Sequence, residues 1–159
     1  MKRSTIPMKE PTAVNRLERL GTLLRDEPMK LHTTFKTGGP ADYLFYPRDG
    51  ESLAEALMLC RELDMPLTAV GGGSNLLVGD RGIRGLVVVL AEDRPLRRGV
   101  TVTEDGLVYA DATARKSSFI SFCAENGFES MEFLAGIPGC MGGGVIMNAG
   151  TTMGNVADI

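Results

Sequence analysis

Apolar residues recur at helical and strand periods in turn along the first half of the chain, and the alternation outlines a small α/β unit. Val14, Leu17, Leu20 and Leu24 fall at helical spacing until Asp26 to Pro28 ends the pattern, which predicts an amphipathic helix over residues 12–26. The run from Ala41 to Tyr46 has strand composition and stops at Pro47. Leu53, Ala56, Leu57, Cys60 and Leu63 mark a second helix, with Asp49 and Ser52 as caps at its entry. Residues 67–70 and 86–90 read as short buried strands. Strand, helix and strand in this order make a βαβ unit, with Gly71-Gly72-Gly73 at the carboxyl end of its second strand. Ligands of open α/β sheets collect at that end.

Past residue 99 the pattern changes. Residues 100–103 and 107–112 flank Glu104-Asp105-Gly106, a hairpin with Gly106 at a positive-φ position, and this predicts the start of a second lobe. Phe119, Phe122 and Cys123 define a third helical face closed by Asn126-Gly127. The chain shows neither an internal repeat nor a low-complexity tract.

Composition narrows the function classes. With 159 residues there is room for one domain or two small lobes, and 43% hydrophobic with 23% charged residues are ordinary globular values. A net charge of -3 argues against a nucleic-acid or anionic-membrane surface, since phosphates select for a basic face. The local exception, Arg94-Pro95-Leu96-Arg97-Arg98, reads as a solvated loop. The 3 cysteines, Cys60, Cys123 and Cys140, are odd in number and lack metal-ligand spacing, so a reducing compartment and no metal are expected. His32 is the single histidine, so a Ser-His-Asp triad could form only around it. The basic start, residues 1–7, has no apolar segment behind it, and the longest aliphatic run falls far short of the roughly 20 residues a membrane span needs. A soluble, cytoplasmic protein is expected.

Two glycine-dense stretches carry the candidate chemistry. Gly71-Gly72-Gly73-Ser74-Asn75 meets neither the P-loop pattern nor the dinucleotide fingerprint. Consecutive glycines can instead form a concave nest of N–H groups, with Ser74 and Asn75 adding donors for phosphate oxygens; a tight structural turn is the alternative. In Gly136-Ile137-Pro138-Gly139-Cys140-Met141-Gly142-Gly143-Gly144-Val145-Ile146-Met147-Asn148-Ala149-Gly150, the apolar residues offer surface to a flat ring or ribose. Gly142 to Gly144 remove side chains where something approaches closely. A glycine-rich crossover packing helix on sheet is the alternative there.

Together with Thr33-Thr34-Phe35-Lys36-Thr37-Gly38-Gly39-Pro40-Ala41, these stretches resemble, in order and spacing, the signatures of the UDP-N-acetylenolpyruvoylglucosamine reductase family, over roughly residues 29–159. The resemblance implies an α+β fold, the FAD-binding module of the p-cresol-methylhydroxylase type, built of two small α/β lobes. Residues 1–28 would be a helical extension, 29–92 the first lobe and 93–159 the second, incomplete, with the substrate lobe absent. It implies non-covalent FAD, held by Gly71, Gly72, Gly73, Ser74, Asn75 and Leu76 at the pyrophosphate. Ile137, Pro138, Gly139, Gly142, Gly143, Ile146, Met147, Asn148 and Gly150 would lie along pyrophosphate and isoalloxazine.

In that family NADPH reduces FAD, and the flavin passes hydride to the enolpyruvyl double bond of a sugar nucleotide, giving UDP-N-acetylmuramate for peptidoglycan. The family's catalytic arginine, serine and glutamate lie beyond the segment matching Asn148-Ala149-Gly150, so no catalytic residue is assigned, and the chain is expected to be inactive alone. Departures include Cys140-Met141 where Thr-Val is common and Gly144 where alanine is usual. Cys140, Asp42, Tyr43 and Lys36 read as structural. Two other readings keep the fold: a non-catalytic flavin or nucleotide module completed by a partner, and a flavin oxidase or dehydrogenase subunit. An exposed docking face able to self-associate is a further expectation.

Overall fold

The computed structural model describes residues 11–90 and 99–159, and the basic stretch at 94–98 and the start of the chain lie outside them. Two compact units divide the chain, one ending at Val89 and the other beginning at Leu90.

The first unit opens with α1 (Pro11–Leu20), followed by β1 (Gly21–Pro28), β2 (Pro40–Pro47), α2 (Gly50–Glu62), β3 (Leu67–Val70) and β4 (Ile83–Val89). Its sheet runs β1-β2-β4-β3, with β1 antiparallel to β2 and the other neighbours parallel. The predicted βαβ unit is β2-α2-β3, and β4 inserts between its strands. Leu17, Leu44, Phe45, Ala56, Leu59, Leu86 and Val87 fill the core.

The helix predicted over residues 12–26 stops at Leu20, and residues 21–28 are an edge strand of the sheet. Val14 and Leu17 are buried on the helix, while Leu24 continues their spacing only by coincidence and pairs instead with Leu44. A Cβ at Gly21 would come within 2.0 Å of the Tyr46 carbonyl oxygen, so this close crossing of strands needs glycine. The N-terminal segment is therefore helical only in part. The strand expected to be buried at residues 67–70 lies at the sheet edge, where Val70 alone is buried. The central strand β4 starts at Ile83, ahead of the predicted residue 86, with residues 85–89 buried. Asp49 caps α2 by accepting the Ser52 amide at 2.8 Å, as the sequence suggested.

In the second unit, β5 (Val100–Val102) and β6 (Val108–Ala110) form the predicted hairpin, with Gly106 at φ 82°. Next comes α3 (Lys116–Glu125), which ends in a Schellman arrangement: Gly127 lies at φ 76° and the Phe128 amide donates to Cys123 O at 2.9 Å. A 3-10 turn (Glu132–Leu134), α4 (Met141–Ile146), a small hairpin of β7 (Gly150–Thr151) and β8 (Gly154–Asn155), and a last 3-10 turn (Val156–Asp158) complete it. Ala114, Phe119, Cys123, Phe133, Leu134 and Met141 make its core. Neither α4 nor the β7–β8 hairpin was expected from periodicity, because three consecutive glycines weigh against a helix.

Candidate functional site

In the first unit the segment after β3 is held against the segment before β2. The Thr34 amide donates to Gly73 O at 3.0 Å, and the Gly39 amide donates to Gly79 O at 3.1 Å. Gly73 sits at φ 64°, and a Cβ there would stand 2.0 Å from the His32 carbonyl oxygen. A Cβ at Gly39 would likewise stand 2.0 Å from the Asp80 carbonyl oxygen. Two of the stretches that carried the family resemblance, residues 33–41 and 71–77, are thus one packed assembly.

Gly72 and Asn75 are exposed on this assembly, and no hydrogen bond among the described residues takes their amides. Ser74 is half-buried and already has an interaction. Leu77, 74% exposed, follows in the same segment, and Leu31 and Phe35 are also exposed. Behind the assembly the Glu27 carboxylate accepts from His32 Nε2 at 2.9 Å, leaving Nδ1 to accept from the Tyr46 hydroxyl at 3.2 Å. That accounts for His32 as a fixing group. Asp42 accepts the Gly85 amide at 3.1 Å and pairs with Arg84, which makes it a staple between β2 and β4. Lys36 is exposed in a left-handed turn at φ 54°.

In the second unit most of the glycine segment is wrapped around residues 112–116. The amides of Met141 and Gly142, at the start of α4, donate to the carbonyls of Ala114 at 2.8 Å and Ala112 at 2.9 Å. A Cβ at Gly142 would meet the Ala112 methyl at 2.9 Å, and one at Gly144 would meet Lys116 Cε at 2.8 Å. These two glycines therefore make room for the chain itself. Gly143 differs: it is exposed, and its nearest neighbour would be Cys140 Sγ at 3.7 Å. Asn148, at φ 45°, uses its side-chain oxygen to accept the Ala157 amide at 3.0 Å, and Gly150 pairs with Asn155 in the hairpin. Ile137 is half-buried against the core, Pro138 is exposed, and Gly139 turns the chain at φ 101°. Ile146, 84% exposed, and Met147 present apolar surface to solvent.

The cationic group beneath this segment is Lys116, only 5% exposed, whose Nζ donates to Pro138 O at 2.8 Å. Burial lowers its pKa, an effect that neighbouring Cys140 partly opposes. The sequence reading passed over Lys116. Its signal was its place on the α3 face shared with the buried Phe119 and Cys123. Among the described residues no cluster of histidine, cysteine and carboxylate residues could hold a metal ion, and no helix is long and apolar enough to cross a membrane.

Taken by itself, the first unit's loop offers the exposed amides of Gly72 and Asn75, which suit phosphate oxygens, and the second unit's segment offers open backbone at Gly143 beside exposed Ile146 and Met147, which suits an apolar group. The model of the FAD binding domain family matches residues 41–159, from β2 to the last residue described. The UDP-N-acetylenolpyruvoylglucosamine reductase of Agathobacter rectalis is 40% identical over an alignment of 156 residues that covers 93% of this chain and 49% of that protein. Its counterpart in Geobacter metallireducens is 43% identical over 143 residues, 90% of this chain and 46% of that protein. The crystal structure of UDP-N-acetylenolpyruvylglucosamine reductase from Thermus caldophilus superposes with a TM-score of 0.64 at 30% identity, covering 87% of this chain and 46% of that one. The chain spans about half the length of the curated relatives it matches. Both glycine segments fall inside the matched region, and this chain belongs to the FAD binding domain family, similar over most of its length to about half of a UDP-N-acetylenolpyruvoylglucosamine reductase.

Proposed function

We propose that this chain is the FAD-binding part of an NADPH-dependent reductase that converts UDP-N-acetylglucosamine enolpyruvate to UDP-N-acetylmuramate for peptidoglycan, a cytoplasmic activity. The observation that carries this reading is the packed pair of segments 33–41 and 71–77, whose exposed Gly72 and Asn75 amides are unengaged among the described residues. On this reading residues 71–76 hold the FAD pyrophosphate. Ile137, Pro138, Gly139, Gly142, Gly143, Ile146, Met147, Asn148 and Gly150 form the surface along pyrophosphate and isoalloxazine. Gly142 and Asn148 serve it indirectly, by fixing α4 and the turn after it, while Gly143 and Ile146 face the ligand.

Bound FAD supplies hydride acceptance and donation. The residues of this chain supply binding and orientation: fixed amides for the phosphates, apolar surface for the ring. On this reading the arginine, serine and glutamate that the resemblance implies for the sugar nucleotide lie outside the matched motifs, and the 159-residue chain tested by itself is expected to bind flavin without turnover. A titration of the 159-residue chain with FAD, read by the visible spectrum and by flavin fluorescence, tests the reading. Saturable binding at micromolar FAD is expected, and no binding at tens of micromolar would defeat it.

A second reading, a flavin module completed by a partner or by self-association, is favoured by the exposed Val145, Ile146, Met147 and Met153. Sedimentation of the chain with and without FAD separates the two. Concentration-dependent association that FAD leaves unchanged would favour the second.

A further inference from the structure

We infer that Lys116 is a positioning residue for the second cofactor segment: its ammonium, buried under α4 in the space left by Gly144, ties down the Pro138 carbonyl and sets a cationic charge behind the 137–139 turn. The inference rests on the FAD reading above. Four observations converge on it. Lys116 is 5% exposed, although lysine is among the residues least often buried. Its Nζ donates to Pro138 O at 2.8 Å, across the turn that precedes α4. The Lys116 amide donates to Gly139 O at 3.1 Å, so backbone and side chain grip the same turn from two points. Gly144 keeps the channel for the lysine stem open, since a methyl there would stand 2.8 Å from Cε.

An apolar side chain of similar length would fill that channel without desolvating an amine, and packing alone does not require lysine. What lysine adds is a donor for the carbonyl and a positive charge close behind a turn that, on the FAD reading, faces pyrophosphate. The ligand class it favours is an anionic dinucleotide.

The test compares the 159-residue chain with its Lys116→Met and Gly144→Ala variants by three readouts: thermal midpoint, FAD affinity, and amide hydrogen exchange without ligand. Lys116→Met is expected to keep or raise the thermal midpoint, because it removes a buried amine, while weakening FAD binding about tenfold. Exchange over residues 137–143 should quicken while the first unit's sheet is unchanged. Gly144→Ala, which displaces the lysine stem, should weaken FAD binding in the same direction. Unaltered FAD affinity in Lys116→Met overturns the inference, and so does a parallel loss of thermal midpoint and affinity, which would make the lysine merely structural. Should the parent chain bind no FAD, the functional reading falls, and exchange alone decides whether Lys116 holds the turn: unchanged rates over 137–143 overturn it.

Discussion

Gly73 and Gly106 share a positive φ, 64° and 82°, but the space around them differs. A methyl at Gly106 meets nothing within 4 Å, so Gly106→Ala has only the left-handed backbone to oppose it and should cost about 1 kcal/mol. At Gly73 the methyl would also stand 2.0 Å from the His32 carbonyl, and Gly73→Ala should cost at least about 3 kcal/mol, because segments 33–41 and 71–77 must part to admit it. Urea unfolding of both variants measures the difference, and equal midpoints would show that the close packing of these segments is not what Gly73 serves. Glycine density in the sequence singled out this loop. It could not say which glycine answers to a neighbouring carbonyl and which leaves an amide open, because that depends on a partner far along the chain. The cysteines were more legible: all three are buried and free, and burial pushes the Cys60 thiol up to about 11. A thiol reagent at neutral pH should therefore label none in the folded chain and all three after unfolding in urea.

Among the elements, α2 was read correctly down to its cap because every signal for it is local. Asp49 accepts the Ser52 amide, which holds its carboxyl below the ordinary value of 3.8, and a similar bond from Thr103 lowers that of Asp105 in the β5–β6 turn. The stabilisation each contributes is fully present above the ordinary carboxylate value and is lost as pH falls through the lowered folded value. Asp49→Asn keeps a capping oxygen but cannot titrate. It should flatten the acid limb of stability below about pH 4 while leaving neutral stability nearly unchanged. Urea midpoints measured down the acid limb check this, and a limb as steep as the parent's would remove Asp49 as a source. Where local signals failed, tertiary pairing had prevailed. Leu24 continues a helical stripe, yet its backbone belongs to a ladder with β2. In α4 three glycines disfavour a helix, but the Ala112 and Ala114 carbonyls take its first free amides, and Lys116 fills the groove beside it.

At the scale of the whole chain, the two units have separate cores, and each carries one glycine segment. A ligand bound by only one segment would protect amides in that unit alone, whereas FAD on the proposed reading engages both. Hydrogen exchange with and without saturating FAD should therefore slow at residues 71–76 and, in the same sample, at 137–143. Core amides of β2 and β4 should respond only through the overall gain in stability, which follows RT ln(1 + [L]/Kd) and reaches about 2.7 kcal/mol at a hundredfold excess over Kd. Adenosine diphosphate shares the pyrophosphate but lacks the flavin, so it should protect residues 71–76 and the 137–139 turn and leave Ile146 and Met147 unprotected. Protection by FAD confined to the first unit would mean that the second segment serves the fold, as its contacts to Ala112 and Lys116 alone would require. Protection of both segments by FAD, with only Ile146 and Met147 left unprotected by the diphosphate, would support pyrophosphate contact by both segments and assign the ring to α4.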